Sequence, residues 1–359
     1  MHGKRVSISD VARRAGVSKA TVSAVINDSG PVGEGTRARV RAAIDALNYR
    51  RAPVAGAAAA AAAGRNRCIA LVIKELDNPY YGEIIAGARA CAGEHGYTLL
   101  VVSSEGDYDA ERRAVAALQA KDVDGVVVTP VLDEHADLSH LFDLKRHNFP
   151  FVLLENVRGV QASLVDIDNV EGSRLAVSHL IERGHTRIVH FAGPAYSSHS
   201  GERVDGVRRE CSASRLAFTD EDVVAAGAHL EDGYRCGLAY FGGRERADRP
   251  TAVTCYNDLV ALGLCRALFE LGLRVPEDVS VVGFDDIRLL AYLPLALTTV
   301  RIPQADMGRL ATQMLIRHVE SKERVPPRKV SLPAELVVRH STAPPRHPAA
   351  RSTTTRSSR

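Results

Sequence analysis

Between Ser7 and Asn27 the chain reads SISDVARRAGVSKATVSAVIN, and its apolar positions fall into two short stripes. Val11, Ala12 and Ala15 share one face of a helix. Ser7 and Asp10 can start that helix, because their oxygens accept otherwise orphan backbone N–H groups. Gly16 breaks it, since glycine turns there without a steric penalty. Ser18 is the next cap, and Val22, Val25 and Ile26 form the inner stripe of a second helix. That helix leaves Lys19, Ala20, Ser23, Ala24 and Asn27 outward, small, polar or basic groups that fit a major groove. A third helix is expected at about Glu34 to Leu47, where Val40, Ala43, Ile44 and Leu47 recur at helical spacing. Two short helices about a glycine turn are the layout of a helix-turn-helix. The spacing alone is equally compatible with any small bundle.

From Cys68 onward the pattern changes to apolar strands alternating with helix-like segments. Strands are predicted at 68–73, 97–104, 124–130, 149–155, 187–193, 251–257 and 278–286. Helices are predicted at 81–96, 111–123, 169–184 and 258–272. Continuous apolar runs between helices imply parallel sheets covered on both faces. Two such α/β halves leave a cleft beyond the carboxyl ends of their strands, where ligands bind. Between head and body, Tyr49 to Arg67 reads YRRAPVAGAAAAAAAGRNR, a composition shift that marks a linker.

Composition narrows the class. A chain of 359 residues has room for two or three domains, and 45% hydrophobic with 25% charged residues is ordinary for a soluble globular protein. No run of about 20 purely apolar residues suggests a membrane span. The N-terminus lacks an apolar signal core, so a cytoplasmic protein, nucleoid-associated when on DNA, is expected. The six cysteines lack CxxC spacing and read as reduced thiols, with neither a metal site nor a disulfide framework. Residues 1–51 hold ten Lys/Arg against four Asp/Glu, and the tail 343–359 has four Arg and no acid, which leaves the middle acidic. A basic head on an acidic body suits phosphate contact at one end.

The run DVARRAGVSKATVSAVIN, followed by TRARVRAAIDALNY, strongly resembles the headpiece of the lactose-repressor (LacI) family of bacterial transcription regulators. The body resembles the same family and the wider group of periplasmic sugar-binding proteins through RIVHFAGP, TAVTCYNDLVALG, LGLRVPEDVSVVGFDDI, LPLALTTVRIP and ELVVRHST. The resemblance spans about residues 5 to 342. It implies an α/β fold class, with a three-helix headpiece at 1–50, an Ala-rich hinge at 51–66 and a two-lobed effector-binding and dimerisation core at 67–342. The first lobe would take about 67–166 plus 300–328, and the second about 167–299 plus 329–342. The tail 343–359 would be a disordered basic extension. It lacks the leucine heptads that make some relatives tetramers, so a homodimer is expected.

The same resemblance assigns candidate sites. Lys19 and Ala20 would face base edges of a double-stranded operator, and Ser18, Thr21, Ser23 and Asn27 would position the helix on phosphates. Ser7 and Tyr49 complete the head's DNA-contacting set. Ala24 stands where the family often has Arg, so one guanine contact is expected to be missing. In the hinge, Ala58 occupies the place of the leucine that wedges into the minor groove, and Gly56 that of the usual Arg or Gln. A weaker kink, a shifted hinge register or a plain spacer is therefore expected. In the cleft, Tyr80 and Tyr81 would stack on a ligand ring, unless they only pack the lobes. Arg203, Asn257 and Asp285 would hydrogen-bond a polar effector. Glu155 and Asp168 are weaker candidates that could instead tie the lobes together. Ser197, Ser198, His199 and Ser200 read as a cleft loop.

The chain has no GxxxxGK[ST], HExxH or GxSxG, so no enzyme, cofactor or catalytic residue is expected. The expected function is an effector-responsive, sequence-specific regulator, acting as a repressor on a pseudo-palindromic operator. Its effector is expected to be a sugar more readily than a nucleobase or nucleoside. The rival on the head is non-specific or architectural DNA binding, and on the body alone a periplasmic-type binding protein.

Overall fold

The computed structural model describes residues 8–26, 32–47, 66–120, 123–132, 137–292, 294, 296–321, 323 and 325–346. Ser7, Asn27, Tyr49 and Ala58 lie outside the described residues, as do the linker at 51–65 and the tail from 347. The chain divides into two compact units, Met1–Asn66 and Arg67–Arg359.

The first unit contains α1 (Ile8–Ala15), α2 (Lys19–Ile26) and α3 (Glu34–Ala46). Its small core is made by the stripes read from the sequence: Val11, Ala12, Ala15, Val22, Val25, Val40 and Ala43 are all buried. Gly16 adopts φ +66°, which only glycine enters without strain, and the turn closes with Val17 N–H donating to Ala12 O. Ser18 Oγ accepts from Thr21 N–H at 3.1 Å, the N-cap expected of it.

The second unit holds two six-stranded sheets. Strands β1 (Cys68–Ile73), β2 (Thr98–Ser103), β3 (Gly125–Val128), β4 (Phe151–Leu153) and β5 (Ser163–Ile167) belong to the first, with β11 (Lys329–Leu332). Strands β6 (Ile188–Ala192), β7 (Val223–Ala225), β8 (Ala252–Cys255), β9 (Ser280–Asp285) and β10 (Thr298–Arg301) belong to the second, with β12 (Glu335–Val337). The orders are β11-β5-β4-β3-β1-β2 and β12-β10-β9-β8-β6-β7. Every pairing is parallel except β10 with β12, where Val300 faces Leu336 in antiparallel register. Ile69 to Ile73 are wholly buried because helices cover both faces of the first sheet.

The helices of this unit are α4 (Tyr80–Glu94), α5 (Tyr108–Ala120), α6 (Ser139–Arg146), α7 (Asn169–Glu182), α8 (Ser198–Ala213), α9 (Leu230–Phe241), α10 (Asp258–Glu270) and α11 (Gln304–Glu320). Helices α4 and α11 pack almost backbone to backbone. A methyl group at Gly87 would overlap the carbonyl of Ala305, and one at Gly308 that of Ile84.

The chain passes between the lobes three times: after β5, after β10 and between β11 and β12. This moves two expected boundaries. Val300 and Arg301 lie in β10, which pairs with β9 in the second sheet. Lys329–Leu332 pairs with β5 and belongs to the first lobe. Strands this short carry no signal of which sheet they will join. The start of the tail also differs from expectation. Ala343 donates to Ser280 Oγ at 3.0 Å and its carbonyl takes bonds from His185 Nε2 and Ser280 Oγ, so residue 343 is built into the second lobe.

Candidate effector cleft and DNA-reading face

Carboxyl ends of strands from both sheets meet at an interlobe cleft of about 210 Å³. Arg203, on α8, is its most constrained side chain, only 4% exposed. Its Nε donates to Asn169 Oδ1 at 2.9 Å and its Nη1 to the carbonyl of Tyr256. The guanidinium lies 3.7 Å from the ring centroid of Phe284 and 4.7 Å from that of Tyr256. Planar stacking on two rings fixes the fork and leaves Nη2 toward Asp285, 3.9 Å from Oδ1.

Asp285 ends β9 with φ +116°, a conformation that costs an L-residue on the order of 1–3 kcal/mol and recurs at binding sites. Gln304 Nε2 holds its carbonyl from α11 in the other lobe. Burial pushes its carboxyl up to about 7, and the charges of Arg203 and His199 offset this only in part. Tyr80 and Tyr81 line the opposite wall, their rings edge to face at 5.0 Å.

Three further candidates have structural duties. Glu155 accepts from Lys74 Nζ at 2.7 Å, and from Ser197 and Ser198 Oγ of the other lobe at 3.0 and 3.3 Å. Burial alone would raise its pKa. The charges of Lys74 and His199, with the Lys74 and Ser197 bonds, hold it at about 2 instead. Glu155 is thus a lobe tie that also lines the cleft. Asn257 lines the cleft, but its Oδ1 caps α10 through Val260 N–H and its Nδ2 donates to Ala228 O. Asp168 is not in the cleft: it is exposed and caps α7 by accepting from Glu171 N–H.

Several cleft groups escaped the sequence reading. Lys74, just past β1, has no family-independent signature, and Tyr256 sits beside the more conspicuous Asn257. The supposed loop at 197–200 is the N-cap and first turn of α8, which places His199 where its Nε2 meets Asp166 Oδ1 from the other lobe at 2.9 Å. Glu155 and Asp166 carry the His199 pKa above its usual value against the opposing effect of burial. At the rim, His229 Nε2 lies 2.6 Å from Glu75 Oε1, again across the lobes. Each cation here (Lys74, His199, Arg203, His229) therefore has a carboxylate partner within the protein. Among the described residues no group of His, Cys, Asp and Glu could hold a metal ion, and no helix is long and apolar enough to cross a membrane.

In the first unit, Ser18, Lys19 and Ala20 are exposed at the start of α2, and Thr21, Ser23 and Ala24 are half-buried. Thr21 Oγ1 lies 2.9 Å from Ser18 Oγ, so this hydroxyl is tied into the cap.

A helix-turn-helix head joined to a two-lobed binding core defines a ligand-responsive DNA-binding regulator. Residues 7–52 match the family of bacterial regulatory proteins, lacI family, and residues 177–342 match the periplasmic binding protein-like domain. An HTH-type transcriptional repressor PurR from Vibrio vulnificus (strain CMCP6) is 35% identical over 337 residues, covering 93% of this chain and 97% of that one. The protein of the same name from Proteus mirabilis (strain HI4320) is 36% identical over 342 residues, covering 94% and 97%. Among solved structures, the transcriptional regulator CelR–cellobiose complex is 31% identical with a TM-score of 0.69, covering 94% of this chain and 100% of that one. The lac repressor dimer bound to operator and the anti-inducer ONPF is 27% identical with a TM-score of 0.71, covering 95% and 100%. The chain belongs to the lacI family of bacterial regulatory proteins, and the curated relatives it matches are transcriptional repressors rather than enzymes.

Proposed function

We propose that the protein is a homodimeric repressor of a pseudo-palindromic operator, active in the cytoplasm, whose DNA affinity is set by a small uncharged sugar bound between the lobes. Lys19 and Ala20 read base edges, and Ser18, Thr21, Ser23 and Asn27 fix the helix on phosphates, joined by Ser7 and Tyr49. Ala24 leaves one base unread, and Ala58 gives the hinge a smaller minor-groove wedge than leucine. In the cleft Arg203 and Asp285 bond ring hydroxyls while Tyr80 and Tyr81 cover an apolar ring face.

The observation that carries the effector class is the charge pairing of the cleft. Among the described residues, Lys74, His199 and His229 each meet a carboxylate of the protein within 2.9 Å, which leaves Arg203, 3.9 Å from Asp285, as the single cation free to bond the ligand and favours an uncharged one. The solved complexes of CelR with cellobiose and of the lac repressor with ONPF support a carbohydrate ligand. A nucleobase or nucleoside is the second reading, favoured by the paired Tyr80 and Tyr81 rings, which suit a flat heterocycle.

Closure on the effector alters the lobe geometry that the hinge senses, and the coupling between ligand and DNA is reciprocal. Operator binding by the Asp285→Ala variant, titrated with sugars and with nucleobases, tests the reading. DNA affinity should persist and ligand response vanish. A full response would remove Asp285 from the site.

A further inference from the structure

Asp285 and Asp286 take consecutive left-handed conformations at the end of β9, φ +116° and +57°, and only the first of them lines the cleft. Neither is a glycine, so the turn persists only because its surroundings hold it. Asp258, the fully buried first residue of α10, pins it from one side. Its Oδ2 accepts from Ile287 N–H at 2.9 Å and its Oδ1 from Thr299 Oγ1 at 2.6 Å. Gly283 makes room for that carboxylate, since a methyl group there would lie 2.2 Å from Asp258 Oδ1.

All three segments in which the chain crosses between the lobes are bonded to this turn or to Arg203 beside it. The first crossing, after β5, enters α7 at Asn169, whose Oδ1 accepts from Arg203 Nε at 2.9 Å. The second runs from Arg301, the last residue of β10, to Gln304, the first of α11. Arg301 Nε donates to Asp286 Oδ2 at 2.7 Å, and Gln304 Nε2 donates to the carbonyl of Asp285. The third leads into β12. Arg339, two residues past that strand, donates through Nη2 to Asp286 Oδ1 at 2.5 Å, while its Nη1 donates to Leu297 O at 2.8 Å. Both oxygens of the Asp286 carboxylate, only 8% exposed, are thus taken by guanidinium groups that belong to two different crossings. Charge-assisted bonds in so dry a place make a stiff link.

We propose that Asp286 is a positioning residue for the effector response, which touches no ligand and ties the Asp285 turn to the second and third crossings. A ligand that draws the Asp285 carboxylate toward itself rotates the turn. Arg301 and Arg339 carry that rotation into the segments about which the lobes move. One residue binds and its neighbour transmits. The proposal rests on the effector reading of the cleft.

Calorimetric titration of the full chain with glucose, ribose, cellobiose, adenine, guanine, adenosine and guanosine measures binding. The affinity for the inverted repeat recovered by duplex selection, with and without each compound, measures the response. Asp286→Asn should bind the compound that wild type binds with a dissociation constant within about threefold. That compound should change the variant's operator affinity by less than about threefold, where it changes that of wild type by about tenfold or more. Arg301 is half exposed, and Arg301→Gln leaves the Asp286–Arg339 bond in place, so this variant should fold and lose part of the response. Arg301→Lys, which keeps the charge, should retain it. If Asp286→Asn does not fold, the two Arg301 variants decide. A wild-type response in Asp286→Asn or Arg301→Gln, or a ligand affinity that falls in step with the response, overturns the proposal and leaves the cleft reading standing. A wild type that binds none of these compounds, or whose operator affinity ignores the one it binds, overturns both.

Discussion

Glu155 offers the sharpest energetic test, because a buried carboxylate joins both lobes through named partners. Replacing it with Gln keeps the shape and removes the charge. The Glu155 side chain is 4% exposed and that of Lys74 25%, so the pair is screened little by water. Its pKa falls from 4.5 to about 2 on folding. At about 1.4 kcal/mol per tenfold change in proton affinity, that is worth about 3 kcal/mol at neutral pH. Lys74 keeps some contact with water and can rehydrate, which sets the loss near the lower end of the ~3–5 kcal/mol found on breaking buried pairs.

The sign fixes the pH window. A carboxyl depressed in the folded state stabilises fully above about pH 4.5, and that stability is lost as pH falls toward 2. Urea unfolding at pH 7, 5 and 3.5 should therefore show wild type and Glu155→Gln about 3 kcal/mol apart at the first two and about 2 kcal/mol apart at the last. The exposed Arg146–Asp143 pair is the control, and Asp143→Asn should shift stability by no more than about 0.5 kcal/mol. A Glu155→Gln difference as small as the control's, or one that persists unchanged to pH 3.5, would refute the reasoning.

Asp285 should titrate in the opposite sense. Its carboxyl is raised to about 7 by burial, so core stability should fall as pH rises from about 4 to about 7, and Asp285→Asn should flatten that slope in urea titrations. Effector affinity that needs the ionised acceptor should strengthen between pH 6 and 8, measured calorimetrically, and lose this dependence in the same variant. Gly308→Ala should destabilise the core by about 1–3 kcal/mol in thermal unfolding, because its methyl meets the Ile84 carbonyl. Substituting Lys19 and Ala20 together should change which half-site is preferred in a binding selection, and an unchanged preference would remove them from base contact.

What could be read from the sequence was whatever depends on local period. The stripes Val11, Ala15, Val22, Val25 and Val40 predicted the head, and each of these residues is buried in it. The apolar runs beginning at Cys68 and Ser280 are sheet strands, and Ser18 caps the helix it was expected to cap. Period says nothing about which sheet a four-residue strand joins, so Val300, Arg301 and Lys329–Leu332 fell on the wrong sides of the expected lobe boundaries. Nor does it show partners from the opposite lobe. Lys74 was passed over because its value comes from Glu155, 81 residues away, and His199 was placed at the cleft without its mate Asp166, 33 residues away. Asp168 looked like a cleft acid for the converse reason: a strand-end carboxylate and a helix N-cap have the same sequence signature.

The central claim is that a sequence-specific head is governed by the cleft. Selection of bound duplexes from a random library by the full chain, followed across salt and repeated with pooled sugars and nucleosides, tests it most directly. The account predicts an enriched inverted repeat whose recovery changes when the effector is present and does not change in Asp285→Ala. Binding without enrichment, weakened by salt alone and indifferent to every ligand, would contradict it.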